Sequence, residues 1–221
     1  MDYLKNLNEE QYKAVTHLEG PCLVLAGAGS GKTRVLTTRI AYLIDQGIPS
    51  YNILAITFTN KAAKEMKERL ESLVPNNNAF VGTFHSLGVR IIRENCTLCN
   101  LTSTFTILDS DDVLSLIKRI MKNKGIDPKM LAPSYVRNRI SFIKNENLSQ
   151  REITNLFNTA MEQQVLNIYA TYEELIHKNN SVDFDDLLVL PVKLFQEHHE
   201  ILDHYKEYFL LRRLLLINGI A

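Results

Sequence analysis

The chain has 221 residues, of which 45% are hydrophobic, and its 25 basic side chains balance 25 acidic ones. This length allows one or two domains with a buried core, and the zero net charge restricts any nucleic-acid surface to a local patch. No apolar run is long enough to span a membrane, and the N-terminus lacks the apolar core of a signal peptide, so we expect a cytoplasmic protein with no membrane partner. Three cysteines, Cys22, Cys96 and Cys99, are too few for a disulfide framework or a zinc site.

The first strong signal along the chain is a glycine-rich loop between a predicted strand and a predicted helix. Residues 22–25 form a short apolar run typical of a buried strand, and from Lys32 the apolar residues follow a helical spacing that stops at Gly47. This order places a phosphate at a helix N-terminus. The alternative is a chance glycine turn. The predicted phosphate loop reads Ala26, Gly27, Ala28, Gly29, Ser30, Gly31, Lys32, Thr33.

The next segments continue the alternation of strand and helix. Residues 53–58 predict a second strand, Asn60 is expected to cap the helix that follows, and residues 80–83 predict a third strand with another helix behind it. Such alternation is typical of an α/β fold with a parallel sheet, whose ligands lie at the carboxyl ends of the strands.

Helices are predicted to dominate from about residue 105. They are expected from Ser110, after Pro133, from a capping box over residues 149–152, and from about Ala160 to Lys178. Asp183 is expected to cap a further helix that Pro191 kinks or restarts. We interpret Asp183, Asp185 and Asp186 as helix-start residues; the alternative is a metal site.

Five segments occur in an order that resembles the N-terminal half of UvrD/Rep/PcrA-type superfamily 1 DNA helicases, over residues 1 to about 209. They are residues 7–11, 26–34, 57–63, 83–86 and 183–187. The resemblance implies a RecA-like P-loop parallel sheet with helices on both faces, plus an all-helical insertion. It divides the chain into the first part of an ATP-binding domain (1–104), the insertion (105–180) and an incomplete return to the RecA-like domain (181–221).

The resemblance also implies ATP-driven translocation along single-stranded DNA with 3′→5′ unwinding. ATP and Mg²⁺ are then the cofactors, with Lys32 and Thr33 as catalytic residues and the Thr33 hydroxyl as metal ligand. Gln11 matches a glutamine that reads adenine, and Arg34 matches a residue that packs near the base. The alternatives are that Gln11 completes a capping box with Asn8 and that Arg34 is a solvated side chain.

The same resemblance places the nucleic-acid contacts at the ends of the second and third strands. Phe58 would stack on a base of single-stranded DNA or of a junction between single and double strands. The alternatives are a core phenylalanine at position 58 and a structural histidine at position 85. The implied DNA-binding residues are Phe58, Thr59, Asn60, Lys61, Thr83, His85 and Ser86.

One departure from the family pattern concerns the Asp-Glu-x-x-Asp motif, whose acids hold Mg²⁺ and orient the attacking water. No Asp or Glu occurs after Glu207, so we expect ATP binding with little or no hydrolysis and a degraded strand at this place. An out-of-frame tail, a natural short form and a deliberate fragment would each explain the departure. The alternative functions are a non-catalytic ATP- and DNA-binding module, half of a split helicase whose partner chain supplies the second RecA-like domain, and an unrelated P-loop NTPase.

Overall fold

The computed structural model describes residues 2–27, 29–146, 148, 150–209 and 215–219. Contacts within the chain divide the protein into two compact units, which we call the first unit (residues 1–84 and 198–221) and the second unit (residues 85–197). None of the helices in these described ranges combines the length and apolarity needed to cross a bilayer.

Helices and short strands alternate over residues 9–123, and helices predominate after that. The α-helices are α1 (Glu9–Thr16), α2 (Lys32–Asp45), α3 (Asn60–Leu73), α4 (Phe84–Glu94), α5 (Ser110–Asn123), α6 (Pro133–Asn145), α7 (Gln150–Leu156), α8 (Ala160–Lys178), α9 (Asp186–Glu197) and α10 (His199–Tyr208). The strands are β1 (Cys22–Ala26), β2 (Leu54–Thr57), β3 (Phe80–Thr83), β4 (Thr106–Ile107), β5 (Ser181–Val182) and β6 (Leu215–Gly219). Short 3₁₀ helices cover Asp2–Leu4 and Ser50–Asn52.

All the strand pairs are parallel within the described residues, which supports the predicted α/β class. β1 pairs with β6, from Cys22 opposite Leu215 to Ala26 opposite Gly219, while β2 pairs with β3 and β4 with β5. The expected degradation of the strand near the end of the chain is therefore wrong, because residues 215–219 pair with β1 along its whole length. An apolar stretch needs no acidic motif to form a strand.

The first unit has a core between α2, α3 and the β2–β3 pair, built around Ile40, Leu43, Met66 and Leu70. A smaller cluster joins Val15 of α1 to Val35 of α2, with Val24 of β1 packed against it. The prediction that β1 is buried is wrong for one of its faces, where Leu23 and Leu25 are each 61% exposed. A strand alternates its side chains between two faces, and the described residues cover only the face that carries Val24.

The second unit has a helical core. Apolar residues of α5, α6 and α8 pack together, with Ile117, Ile140 and Ile168 at the centre. A second cluster includes Ile92 of α4, Val182 of β5 and Leu187 of α9. The two-residue strand β5 was not predicted. It pairs with β4, although helices α5 to α8 separate the two strands in the sequence.

Three local predictions meet different outcomes. Thr59, not Asn60, is the N-cap of α3, because its extended backbone lets its hydroxyl accept from Ala62 N at 3.1 Å. Pro191 does not restart a helix but lies inside α9. The predicted capping box at residues 149–152 starts at Ser149, which lies outside the described residues.

Candidate nucleotide and nucleic-acid site

The predicted phosphate loop connects β1 to the first turn of α2 in the first unit. Gly29 and Gly31 have φ values of 74° and 83°, in the left-handed region that favours glycine. Gly31 is the N-cap of α2 and offers no side-chain cap to the first turn, so the N–H groups there are suited to an anion. Ala28, a predicted loop residue, lies outside the described residues.

The Gly27 carbonyl accepts hydrogen bonds from two polar side chains, those of Ser30 and Lys32. Ser30 Oγ donates to Gly27 O at 2.8 Å, and Lys32 Nζ donates to Gly27 O at 2.8 Å and to Ala26 O at 3.3 Å. A phosphate would therefore compete with two backbone carbonyls for the Lys32 ammonium. The loop is held in a turned shape by bonds that its own residues make.

Gln11 connects helix α1 to the phosphate loop. Its Nε2 donates to Ser30 O at 3.0 Å, and its Oε1 accepts from Asn8 N at 3.2 Å. Asn8 Oδ1 accepts in return from Gln11 N at 2.8 Å, which completes the capping box of α1. The capping interpretation of Gln11 is thus confirmed. Because Oε1 can accept and Nε2 can donate one further hydrogen bond each, adenine recognition by Gln11 stays a prediction.

Two further predicted residues lie in the first turn of α2. Thr33 is partly buried and Arg34 is exposed. Among the described residues no cluster of three or more His, Cys, Asp or Glu side chains could hold a metal ion, so the Thr33 hydroxyl is the candidate Mg²⁺ ligand by its place in the loop alone.

Phe58 follows β2 and is 91% exposed, so the interpretation of Phe58 as a core residue is wrong. Its ring lies 6.1 Å from that of Phe84, which is also exposed, and the rings are tilted by 53°. Thr59, Asn60 and Lys61 follow at the exposed start of α3. This end of the first unit presents an aromatic pair beside a helix N-terminus, a combination suited to a base and a phosphate. Phe84 was not among the predicted site residues.

Thr83 ends β3, and its side chain is buried, so the structure does not place it beside the exposed aromatic pair as an accessible group. Its role in DNA binding stays a prediction.

In the second unit, the ring of His85 meets the ring of Phe184 edge-on at 5.7 Å, and Ser86 is exposed one residue further along α4. Phe184 is 48% exposed and was missed by the sequence reasoning. Its signal was an aromatic residue among three aspartates, where no apolar periodicity requires one.

Asp183 and Asp186, one on each side of Phe184 and Asp185, are buried in an ion cluster of the second unit. Asp183 Oδ1 accepts from Asp186 N at 2.9 Å, as predicted for a helix-start residue, but Asp183 and Asp186 also accept from Lys144 Nζ, each at 2.8 Å. Burial opposes ionisation of Asp183, yet the Lys144 charge and the hydrogen bonds outweigh it and lower the pKa of Asp183. For Asp186, burial and the neighbouring Asp183 charge together raise the pKa to about 6.

The Lys144 ammonium is itself held in the charged form. Burial alone would lower the pKa of Lys144, but the charges of Asp186, Asp183 and Glu173 raise it. This cluster was not predicted. A lysine at position 144, following Val136, Ile140 and Ile143 on the buried stripe of α6, is the signal that could have found it.

The family described as UvrD/REP helicase N-terminal domain matches residues 7–213. The chain belongs to the UvrD/Rep helicase family. It is 45% identical over 217 residues to the ATP-dependent DNA helicase PcrA of Bacillus subtilis (strain 168), and 43% identical over 209 residues to PcrA of Staphylococcus aureus (strain Mu50 / ATCC 700699). The matches cover 95% and 93% of this chain but only 29% of each relative, so the chain spans less than a third of those helicases.

Proposed function

We propose that this chain is the ATP- and DNA-binding N-terminal part of a 3′→5′ DNA helicase. In this proposal it binds ATP–Mg²⁺ and single-stranded DNA, with little or no hydrolysis by itself. The observation that carries the proposal is the loop between β1 and α2, with left-handed glycines at 29 and 31 and an N-terminus of α2 that no side chain caps. The membership in the helicase family supports ATP rather than another anion as the ligand.

Each loop residue has a separate role in the proposal. The backbone N–H groups at the start of α2 and the Lys32 ammonium neutralise phosphate charge, and the Thr33 hydroxyl holds Mg²⁺. Lys32 must exchange its bonds to Ala26 O and Gly27 O for bonds to phosphate oxygens. A bond from the ammonium to an anionic phosphate oxygen is stronger than a bond to a neutral carbonyl, which favours the exchange.

The base-side contacts are proposed from Gln11 and Arg34. Arg34 is exposed in the first turn of α2, where a cation is unfavourable for the helix dipole unless an anionic ligand is nearby. Gln11 retains capacity for a second bond from each of its amide groups. The two residues approach the loop from different helices, so together they would orient the base relative to the phosphates.

For DNA we propose two sets of contacts, one in each unit. In the first unit, Phe58 and Phe84 offer rings to a base, and the start of α3 offers N–H groups and Lys61 to a phosphate. In the second unit, the His85–Phe184 ring pair and the exposed Ser86 form the other set. We also propose that β1, β2, β3 and β6 belong to one RecA-like sheet and that residues 105–180 are its helical insertion.

The first experiment measures ATP binding and ATP hydrolysis by the purified chain, with and without single-stranded DNA. Lys32→Ala removes a charge-assisted bond worth about 1.5–3 kcal/mol, so ATP affinity is expected to fall about ten- to hundred-fold. Lys122→Ala, at an exposed lysine of α5, is the matched control and leaves the affinity unchanged. Equal ATP affinity of native chain and Lys32→Ala would refute nucleotide binding by this loop, and DNA-stimulated turnover would refute the expected lack of hydrolysis.

The second experiment measures binding of a fluorescein-labelled single-stranded oligonucleotide by fluorescence anisotropy. Stacking on an aromatic ring contributes about 1–3 kcal/mol per base, so Phe58→Ala is expected to weaken binding at least about five-fold. Tyr51→Ala removes another exposed ring of the first unit and serves as the control. An equal effect of both substitutions would contradict a specific base contact at Phe58.

A further inference from the structure

The turn that carries Phe184 is attached to the core of the second unit by an unusual ion cluster. Lys144 of α6 has a side chain only 3% exposed, and its Nζ lies 2.8 Å from Asp183 Oδ2, 2.8 Å from Asp186 Oδ1 and 3.0 Å from Glu173 Oε1. Two of the three N–H donors of this ammonium bond to Asp183 and Asp186, and Glu173 is an ion-pair partner. The charge of Lys144 is therefore compensated within the protein.

Two other side chains attach the same turn to neighbouring helices. Tyr172 of α8 donates its hydroxyl proton to Asp183 Oδ2 at 2.7 Å, and Asn145 of α6 donates to Asp185 Oδ1 at 2.9 Å. Within the turn, Asp183 N donates to Asp186 Oδ2 at 3.0 Å, which mirrors the bond from Asp186 N to Asp183 Oδ1. The residues on both sides of Phe184 are thus held by bonds to α6, α8 and each other.

Stability alone gives a poor reason for this arrangement. Taking the Lys144 ammonium and the Asp183 and Asp186 carboxylates out of water costs several kcal/mol per ion, and well-packed apolar residues are often at least as stabilising. What such a cluster does supply is a defined geometry, because the Lys144 ammonium and the carboxylates of Asp183 and Asp186 are joined by directional hydrogen bonds. The side chain that this geometry leaves facing outward is Phe184, with its ring against His85.

We propose that Lys144 is a positioning residue for DNA binding: its ion cluster fixes the turn 183–186 and so holds the Phe184 ring where it meets a base of single-stranded DNA together with His85. This inference rests on the proposed function, since the DNA contact of the His85–Phe184 pair belongs to it. Lys144 itself touches no DNA in this arrangement. Its effect passes through the orientation of Phe184.

The first test measures orientation without DNA. The chain contains no tryptophan, so Phe184→Trp introduces a single tryptophan as the fluorescent reporter at this site. In that background Lys144→Met, which keeps the length and apolar stem of the side chain, is expected to shorten the anisotropy decay of the reporter. Lys122→Met, at an exposed lysine of the same unit, is expected to leave the decay unchanged, and far-UV circular dichroism verifies that each variant is folded.

A milder variant covers the case in which Lys144→Met does not fold. Tyr172→Phe keeps the buried ring and removes only the hydroxyl that donates to Asp183. It is expected to shorten the same decay by a smaller amount. An unchanged reporter decay in the folded members of this pair would overturn the positioning role.

The second test is a double-mutant cycle in single-stranded DNA affinity. If Lys144 acts through Phe184, Lys144→Met weakens binding about five-fold in the native chain and by less than about two-fold when Phe184→Ala is already present. A merely structural role would give the same loss in both backgrounds and would refute the proposal. If the native chain does not bind single-stranded DNA, the proposed function fails, and the reporter decay still decides whether Lys144 positions residue 184.

Discussion

Gly88 offers a sharp test of the packing in the second unit, because two effects of one substitution act in opposite directions there. Gly88 lies inside α4, where replacing glycine by alanine ordinarily stabilises a helix by about 1 kcal/mol. A Cβ added at Gly88, however, would lie 1.9 Å from the Leu187 carbonyl oxygen. Ordinary contacts begin at 3.4 Å, so the backbone of α9 or α4 would have to move by about 1.5 Å.

The reason for this close approach lies in α9 itself. Pro191 stands four residues after Leu187 and has no N–H to donate to the Leu187 carbonyl. That carbonyl lies against Gly88, where only a hydrogen occupies the side-chain position. The clashing atom, Leu187 O, belongs to the backbone of α9, and the side chain of Leu187 is packed in the core. The carbonyl therefore cannot rotate away as a flexible side chain would.

We therefore expect Gly88→Ala to destabilise the chain by about 1–3 kcal/mol, since overpacking outweighs the gain in helix propensity. The measurement is urea unfolding followed by circular dichroism. Glu174→Gly and Glu174→Ala, at an exposed position of α8, calibrate the glycine–alanine difference within the same unit. A Gly88→Ala variant as stable as the native chain, or more stable, would refute the close packing of α4 on α9.

Two further predictions concern buried charges. Arg39 of α2 is buried and donates to main-chain carbonyls at the end of α1, among them Ala14 O at 3.0 Å. Arg39→Met should therefore destabilise by about 2–4 kcal/mol, whereas Arg69→Met at an exposed position of α3 should change stability by less than about 0.5 kcal/mol in thermal melts. Asp186 has a pKa raised by burial from 3.8 to about 6, so the folded chain binds more protons than the unfolded chain between these values. The contribution of this carboxyl to the free energy of unfolding should fall by at most about 3 kcal/mol as pH rises from about 4 to 6. This pH dependence should be missing in Asp186→Asn. The same pH dependence of the free energy of unfolding in both proteins would contradict the raised pKa.

The parts of the fold that could be predicted are those that local patterns determine. The helix from Ala160 to Lys178 has both its predicted ends, because the Thr159 hydroxyl accepts from Glu162 N at its start and an apolar stripe continues to its last turn. The strand at residues 80–83 also has its predicted ends. The loop after β1 was predictable because glycines at 29 and 31 mark backbone conformations that other residues rarely adopt.

The parts that could not be predicted depend on partners that are distant in the sequence, or on which of two adjacent residues with similar capping preference becomes the N-cap. The strand β5 has two residues, and nothing near Ser181 indicates that it will pair with Thr106. Thr59 and Asn60 are both good N-cap residues, so the start of α3 was decided by the backbone conformation at Thr59. Lys144 finds its partners at positions 173, 183 and 186, and a lysine is normally solvated unless paired.

The same long-range contacts give the candidate nucleotide site a property that its motif does not contain. Gln11 of α1 donates to Ser30 O in the phosphate loop, and Arg39 of α2 donates to carbonyls at the opposite end of α1. Helix α1 is thus attached at both ends to the segment made of the loop and α2, and Val15 and Val35 pack between the two helices. A displacement of Ser30 by a bound phosphate would have to move Gln11 or break its bond. Gln11, which we propose as a base contact, is therefore coupled to the phosphate loop through one hydrogen bond, and we expect changes at Gln11 to alter phosphate affinity.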